Sequence, residues 1–140
     1  MHIVFGGAFN GKRDFVKEQL KNRDWVWHEA ELPKPSTSHV VIAGVENWVK
    51  RRLEEGMAEA EILQAVQSHV LENTHQIWIL TDINRGIVPL DPIERQQRDT
   101  VGRLYQWLFK QAASVTRIWY GIPELLKGDE GIENVHEDRR

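Results

Sequence analysis

The residues whose types and spacing could do chemistry begin at Gly6. Gly6, Gly7, Ala8, Phe9, Asn10, Gly11, Lys12 and Arg13 follow an apolar run at residues 2–5 and open a helical pattern. They fit the G-x-x-x-x-G-K part of a phosphate-binding loop. Glycines let the backbone curl around a phosphate group, so that peptide N–H groups point inward. A helix N-terminus adds partial positive charge. Lys12 would reach the terminal phosphates of a nucleotide. Such loops end in Ser or Thr, whose hydroxyl ligates Mg²⁺, and that position here is Arg13. A guanidinium pairs with phosphate but cannot bind a cation. The stretch therefore points to nucleotide binding and weakens the case for catalysis. At average composition the pattern arises by chance in roughly 4% of chains of this length, so a mere glycine-rich turn is the weaker reading.

Other carboxylates and cations could serve the same site. Residues 39–43 read as a buried parallel strand. In phosphate-loop proteins such a strand often ends in an acidic residue that holds Mg²⁺ through water, but here it ends in Ala43. Glu46, just beyond, either stands in as a metal-associated carboxylate or belongs to the first turn of the next helix, where its charge suits the dipole. The strand at residues 77–80 ends at Thr81 and Asp82. Open α/β sheets place ligands at strand C-termini, which makes Asp82 a catalytic and metal candidate. Arg95, Arg98 and Asp99 share a helical face. They form either a surface ion-pair cluster or a wall of the ligand crevice. His28 reads as a polar residue at a strand end, His69 as exposed and His75 as the approach to a strand. None has a second ligand at useful spacing.

Composition narrows the classes. With 140 residues the chain makes one domain, long enough for a proper core. A net charge of -3 gives no electrostatic case for nonspecific nucleic-acid binding. The absence of cysteine excludes disulfides, thiolate nucleophiles and Cys-based metal sites. No apolar run approaches membrane-spanning length, and no signal-peptide pattern opens the chain, so a cytoplasmic protein is expected. The six Trp residues are scattered, which suits packing roles in the core or at its margin.

The elements that must position these groups follow from periodicity. Strands are expected at residues 2–5, 25–27, 39–43, 77–80 and 116–120, the last turning out through Gly121, Ile122 and Pro123. Helices are expected at 12–22, 47–55, 59–73 and 93–113. Polar or proline-bearing loops fill 28–38 and 84–92. The alternation argues for an α/β fold, a mainly parallel sheet with helices on both faces. Residues 1–128 would form the phosphate-loop domain and 129–140 a charged tail.

Four stretches together resemble the adenosylcobinamide kinase/adenosylcobinamide-phosphate guanylyltransferase family. Gly6 to Lys12 resembles its T-G-G-x-R-S-G-K-S loop, and Thr81 to Pro89 resembles N-E-V-G-x-G-I-V-P. Arg95 to Gly102 resembles R-x-F-R-D-x-x-G, with Gln106 at the glutamine that follows. Residues 121–127 match the closing G-x-P-x-x-L-K. The resemblance implies a RecA-like phosphate-loop fold, use of ATP or GTP with Mg²⁺, and phosphorylation of the aminopropanol hydroxyl of adenosylcobinamide in cobalamin biosynthesis. It also implies GMP transfer through a guanylylated histidine, and association as trimers. The departures are specific. Arg13 stands where the family has Ser, Phe9-Asn10 where it has Arg-Ser, Ala43 where it has an acidic strand end, and Thr81-Asp82 where it has Asn-Glu. No H-x-x-x-R-P-like segment lies between the second and third strands, where His28 is the lone histidine.

Two functions remain open on these residues. One is a kinase-like enzyme with Lys12 stabilising the transferred phosphoryl group, Asp82 orienting Mg²⁺ or the substrate hydroxyl, and guanylyl transfer lost. The other is a non-catalytic partner or regulatory homologue that keeps nucleotide or phosphate binding, with Arg13 in the cation's place. Retention of Lys12 and both loop glycines weighs against a ligand-free structural domain.

Overall fold

The apolar residues of the strands divide by parity, and that division sets the layers. A computed structural model describes residues 1–21, 23–83 and 89–128. Among them β1 (His2–Gly6), β2 (Val26–Glu29), β3 (Val40–Ala43), β4 (Gln76–Thr81), β5 (Ser114–Trp119) and β6 (Ile122–Lys127) form one sheet, ordered β2-β3-β4-β1-β5-β6. Every pairing is parallel except β5 with β6. Ile3, Val40, Ile42, Trp78, Leu80 and Val115 join one buried cluster. Val4, Val41, Ala43, Ile77, Ile79 and Ile118 join the other, as a period of two requires.

Helices cover both clusters, as the alternation predicts. Only α1 (Lys12–Gln19), with Val16 and the capping Leu20, packs on the second cluster among the described residues. On the first lie α2 (Val45–Glu54), α3 (Glu59–Glu72) and α4 (Pro92–Gln111). Trp48, Val49 and Leu53 come from α2, Ile62, Val66 and Val70 from α3, and Val101, Leu104 and Leu108 from α4. The start of α4 is well specified: the Asp91 side chain accepts the Ile93 N–H at 2.9 Å, and Pro92 occupies the first turn.

This layering places a crevice. The helix after β1 lies on one face and the helix after β4 on the other, while β1 and β4 are neighbours. Their ends coincide, with Gly6 opposite Thr81 and the Asp82 N–H donating to the Gly6 carbonyl at 2.9 Å. Chain connections diverge at such a point, and open α/β sheets bind ligands there.

Several expectations need correction. The second strand runs on to Glu29, so His28 sits inside it rather than opening a loop. A sixth strand follows Gly121, where a turn out of the sheet was expected. Pro123 lies within β6, an edge strand exposed throughout, and edges tolerate proline. The expected helix 12–22 ends at Gln19, and its last position, Asn22, lies outside the described residues. The motif residues 84–88 and the tail 129–140 also lie outside them. Trp48 and Trp78 are buried and Trp25 and Trp107 half-buried, whereas Trp27 and Trp119 are exposed.

His69 is the clearest reversal. Expected at the surface, it is 2% exposed, with its ring edge-on to Trp78. It lies seven residues after Ile62, on the same helical stripe as Val66. Neither ring nitrogen has a hydrogen-bond partner among the described residues. Burial pushes its pKa down, with the neighbouring Gln76 amide acting the other way. A histidine with a lowered folded pKa binds fewer protons folded than unfolded. Stability is therefore lost as the pH falls through the unfolded value, about 6.5, toward the folded one. The thermal midpoint of the native chain should drop across that window, and His69→Leu should flatten its share of the slope.

Candidate functional site

The loop from β1 to α1 lines the crevice. Its geometry depends on Gly11, which caps α1 in the left-handed region at φ 85 while its carbonyl accepts the Phe15 N–H at 3.0 Å. Phe9 also has positive φ, at 61, and is fully exposed. A non-glycine residue holds that conformation only when its surroundings impose it. One brace is visible: the Gly121 N–H, from the turn between β5 and β6, donates to the Asn10 carbonyl at 2.8 Å.

Lys12 opens α1 and is 4% exposed. Its Nζ donates to the Gly7 carbonyl at 2.6 Å, so the ammonium is held inside the curl of the loop. Burial lowers its pKa, the adjacent Arg13 adds to the effect, and Glu46 opposes it. The cleft at this point has a volume of about 360 Å³. Among the described residues it is lined by Ala8, Phe9, Asn10, Gly11, Lys12, Arg13, Asp14, Glu46 and Thr81. Gly6 and Gly7 form the loop's base behind this lining.

Glu46 belongs to the first turn of α2, directly after Gly44 and Val45. It is 8% exposed, and its Oε2 has no hydrogen-bond partner among the described residues. Burial raises the carboxyl's pKa above the usual carboxylate range. Its own backbone N–H and the nearby Arg13 and Lys12 charges hold the rise back, and Glu29 adds to it. The Gln97 amide of α4 donates to the Glu46 carbonyl at 2.8 Å and fixes the start of α2. Tyr105 does the same for the end of β4, donating to the Thr81 carbonyl at 2.8 Å.

Arg13 lines the cleft but is engaged with a residue outside it. Its Nε and Nη2 donate to the two carboxylate oxygens of Glu29 at 3.1 and 2.8 Å. Glu29, at the end of β2, is a site residue that sequence reasoning missed. Placing the strand's end at Trp27 left it in a loop, and nothing in the sixteen-residue separation signals the pair. Both side chains are well exposed, at 40% and 59%. Solvent screening then limits the pair to less than about 1 kcal/mol. Glu29→Gln should shift the thermal midpoint by no more than about 3 °C, measurable by calorimetry.

The remaining candidates stand apart. Asp82 follows Thr81 at the crevice but does not line the described cleft. Arg95 is exposed and donates to the Leu90 carbonyl at 3.2 Å. Arg98 meets its neighbour Asp99 at 3.4 Å, partly exposed. None of these three residues lines the described cleft.

A six-stranded, mainly parallel sheet with a glycine loop and buried lysine at its switch point defines the class: an α/β domain of the phosphate-loop kind. The chain belongs to the cobinamide kinase/cobinamide phosphate guanyltransferase family, whose model matches residues 16–126. The match begins inside α1, so it carries β2 to β6 and the Thr81–Asp82 end of β4, while the Gly6–Arg13 loop rests on its own residues and geometry. Among curated proteins, none matches the chain. No helix among the described residues is long and apolar enough to cross a membrane.

Proposed function

We propose that the chain binds the phosphates of ATP or GTP at the Gly6–Arg13 loop and transfers a phosphoryl group to the hydroxyl of a cobinamide-type alcohol, without guanylyl transfer. The observation that carries this reading is Lys12, a buried ammonium held inside a glycine loop at the switch point of a chain from this family. The backbone N–H groups of the loop would orient the phosphates, and the start of α1 would add its dipole. Lys12 would exchange its Gly7 carbonyl for phosphate oxygen and stabilise charge in the transition state. Asp82, at the strand end, would orient the acceptor hydroxyl. Mg²⁺ arriving with the nucleotide would neutralise phosphate charge. The segment between β2 and β3 holds no H-x-x-x-R-P-like run to carry a guanylyl group, and His28, within β2, is paired with Glu31. The test is transfer of label from γ-labelled ATP or GTP to adenosylcobinamide. A labelled cobinamide phosphate supports the proposal; labelled nucleotide left intact under saturating acceptor overturns the kinase step.

One observation favours a second reading, a non-catalytic nucleotide- or phosphate-binding homologue. Arg13 fills the position of the Mg²⁺-ligating hydroxyl, and its charge already stands beside the cleft. In that case nucleotide binding needs no cation. Arg13→Ser should then weaken binding measured in EDTA by roughly tenfold, the loss of one charge-assisted contact of about 1.5 kcal/mol. Unchanged EDTA binding in that variant counts against a cation-replacing Arg13.

A further inference from the structure

Among the described residues, four charged ones line the cleft: Asp14 is exposed, and of the other three, two are already engaged. Lys12 donates to the Gly7 carbonyl, and Arg13 is committed to both oxygens of Glu29. Glu46 is the exception. Its Oε2 is without a hydrogen-bond partner among the described residues, although the side chain is more than nine-tenths buried and lines the same cleft. A buried carboxylate oxygen without a partner is costly, and proteins keep few of them without a reason. Gln97 does not relieve it, because that amide binds the Glu46 backbone carbonyl.

The position of this oxygen adds a second constraint. The end of β3 carries Ala43, which offers no side-chain ligand, and the chain then passes through Gly44 into α2. Glu46 is the first carboxylate after that strand end and lines the cleft together with the loop. Thr81, at the end of neighbouring β4, also belongs to the lining. Hard divalent cations of the Mg²⁺ type take oxygen ligands, keep several waters, and need only one or two carboxylates when phosphates complete the shell. The set of residues here fits that demand, whereas Arg13 cannot contribute to it.

We infer that Glu46 is the protein's anchor for a divalent cation, displaced from the end of β3 into the first turn of α2. The inference rests on the phosphate-binding reading of the cleft for the ion's remaining ligands. It is separable from that reading, because Mn²⁺ can be tested alone. Arg13 and Glu46 then have distinct tasks: Arg13 braces α1 against β2, and Glu46 holds the cation that a loop hydroxyl would otherwise share.

The experiment is paramagnetic broadening of backbone amide signals by Mn²⁺ in the ¹⁵N-labelled full chain, native and Glu46→Gln, with and without GTP. Gln preserves shape and removes the charge, and an unchanged amide spectrum away from the cleft verifies its fold. The expected result is broadening centred on residues 44–47 and 81–82 in the native chain with Mn²⁺ alone. Glu46→Gln should weaken it by roughly tenfold or more in apparent Mn²⁺ affinity, since its one carboxylate ligand is gone. Equal broadening in both proteins, or none at these residues in the native chain with or without GTP, overturns the inference. Mn²⁺ broadening that depends on Glu46 in a chain that does not bind GTP leaves the cation site standing and removes the nucleotide reading.

Discussion

Lys12→Ala should lower phosphoryl transfer by about 10²–10³-fold, the usual consequence of deleting one preorganised donor to developing charge. The reasoning starts from burial. The ammonium is 4% exposed and is held by one loop carbonyl, so it is already desolvated and aimed inward before any phosphate arrives. A low local dielectric magnifies its attraction for phosphate. Triphosphate affinity should fall as well, since the same contact serves the ground state. Stability should change little or rise, because a buried charge with its pKa held down is removed. Kinetics with γ-labelled nucleotide, paired with a thermal melt, separate the two effects. A variant that melts normally and transfers at the native rate contradicts the assignment of Lys12.

Gly6→Ala should be the most damaging single-methyl change near the site. A Cβ at Gly6 would stand 2.6 Å from the Ile118 carbonyl oxygen, which belongs to the backbone of the adjacent strand β5. Backbone in the centre of a sheet cannot rotate away, so β1 and β5 must separate where the phosphate loop begins. Overpacking of this kind costs about 2–3 kcal/mol, which corresponds to a midpoint fall of roughly 10 °C for a domain of this size. The loop should suffer beyond the stability loss. Lys12 Cδ lies 3.5 Å from the same Cβ position, and the Asn10 carbonyl is braced by the turn that follows β5. Differential scanning calorimetry and a nucleotide titration of Gly6→Ala should therefore show both defects. A midpoint within 2 °C of native would mean that the strands yield more easily than their packing implies.

The parts of this fold that sequence reveals are those where local pattern and global position agree. Apolar runs at Ile3–Val4, Val40–Val41–Ile42 and Ile77–Trp78–Ile79–Leu80 can be buried only on both faces of a parallel sheet, and they are. The Gly6–Lys12 spacing likewise survives into three dimensions as a curled loop that buries its lysine. Less visible are features set by tertiary contact. β6 is exposed along its whole length, so hydrophobic pattern could not announce it; pairing with β5 makes it a strand. The Arg13–Glu29 pair depends on where β2 ends. His69 was legible in principle, on the same stripe as Ile62 and Val66, but its polarity outweighed its spacing. At the site, Glu46 was readable as a carboxylate close to a strand end. That its Oε2 lies buried without a partner is a property of the packed cleft and of no motif. Arg95, Arg98 and Asp99 show the converse: a matching motif carries residues whose side chains lie along the surface, apart from the described cleft.

The most direct measurement is calorimetric titration of GTP and of ATP, each with Mg²⁺ and with EDTA, into the native chain and into Lys12→Ala. Saturable binding of a triphosphate at one site per chain, strengthened by Mg²⁺ and weakened at least about tenfold in Lys12→Ala, is the predicted result. Absence of binding to the native chain in all four conditions, or equal binding by both proteins, would contradict a phosphate site at the Gly6–Arg13 loop.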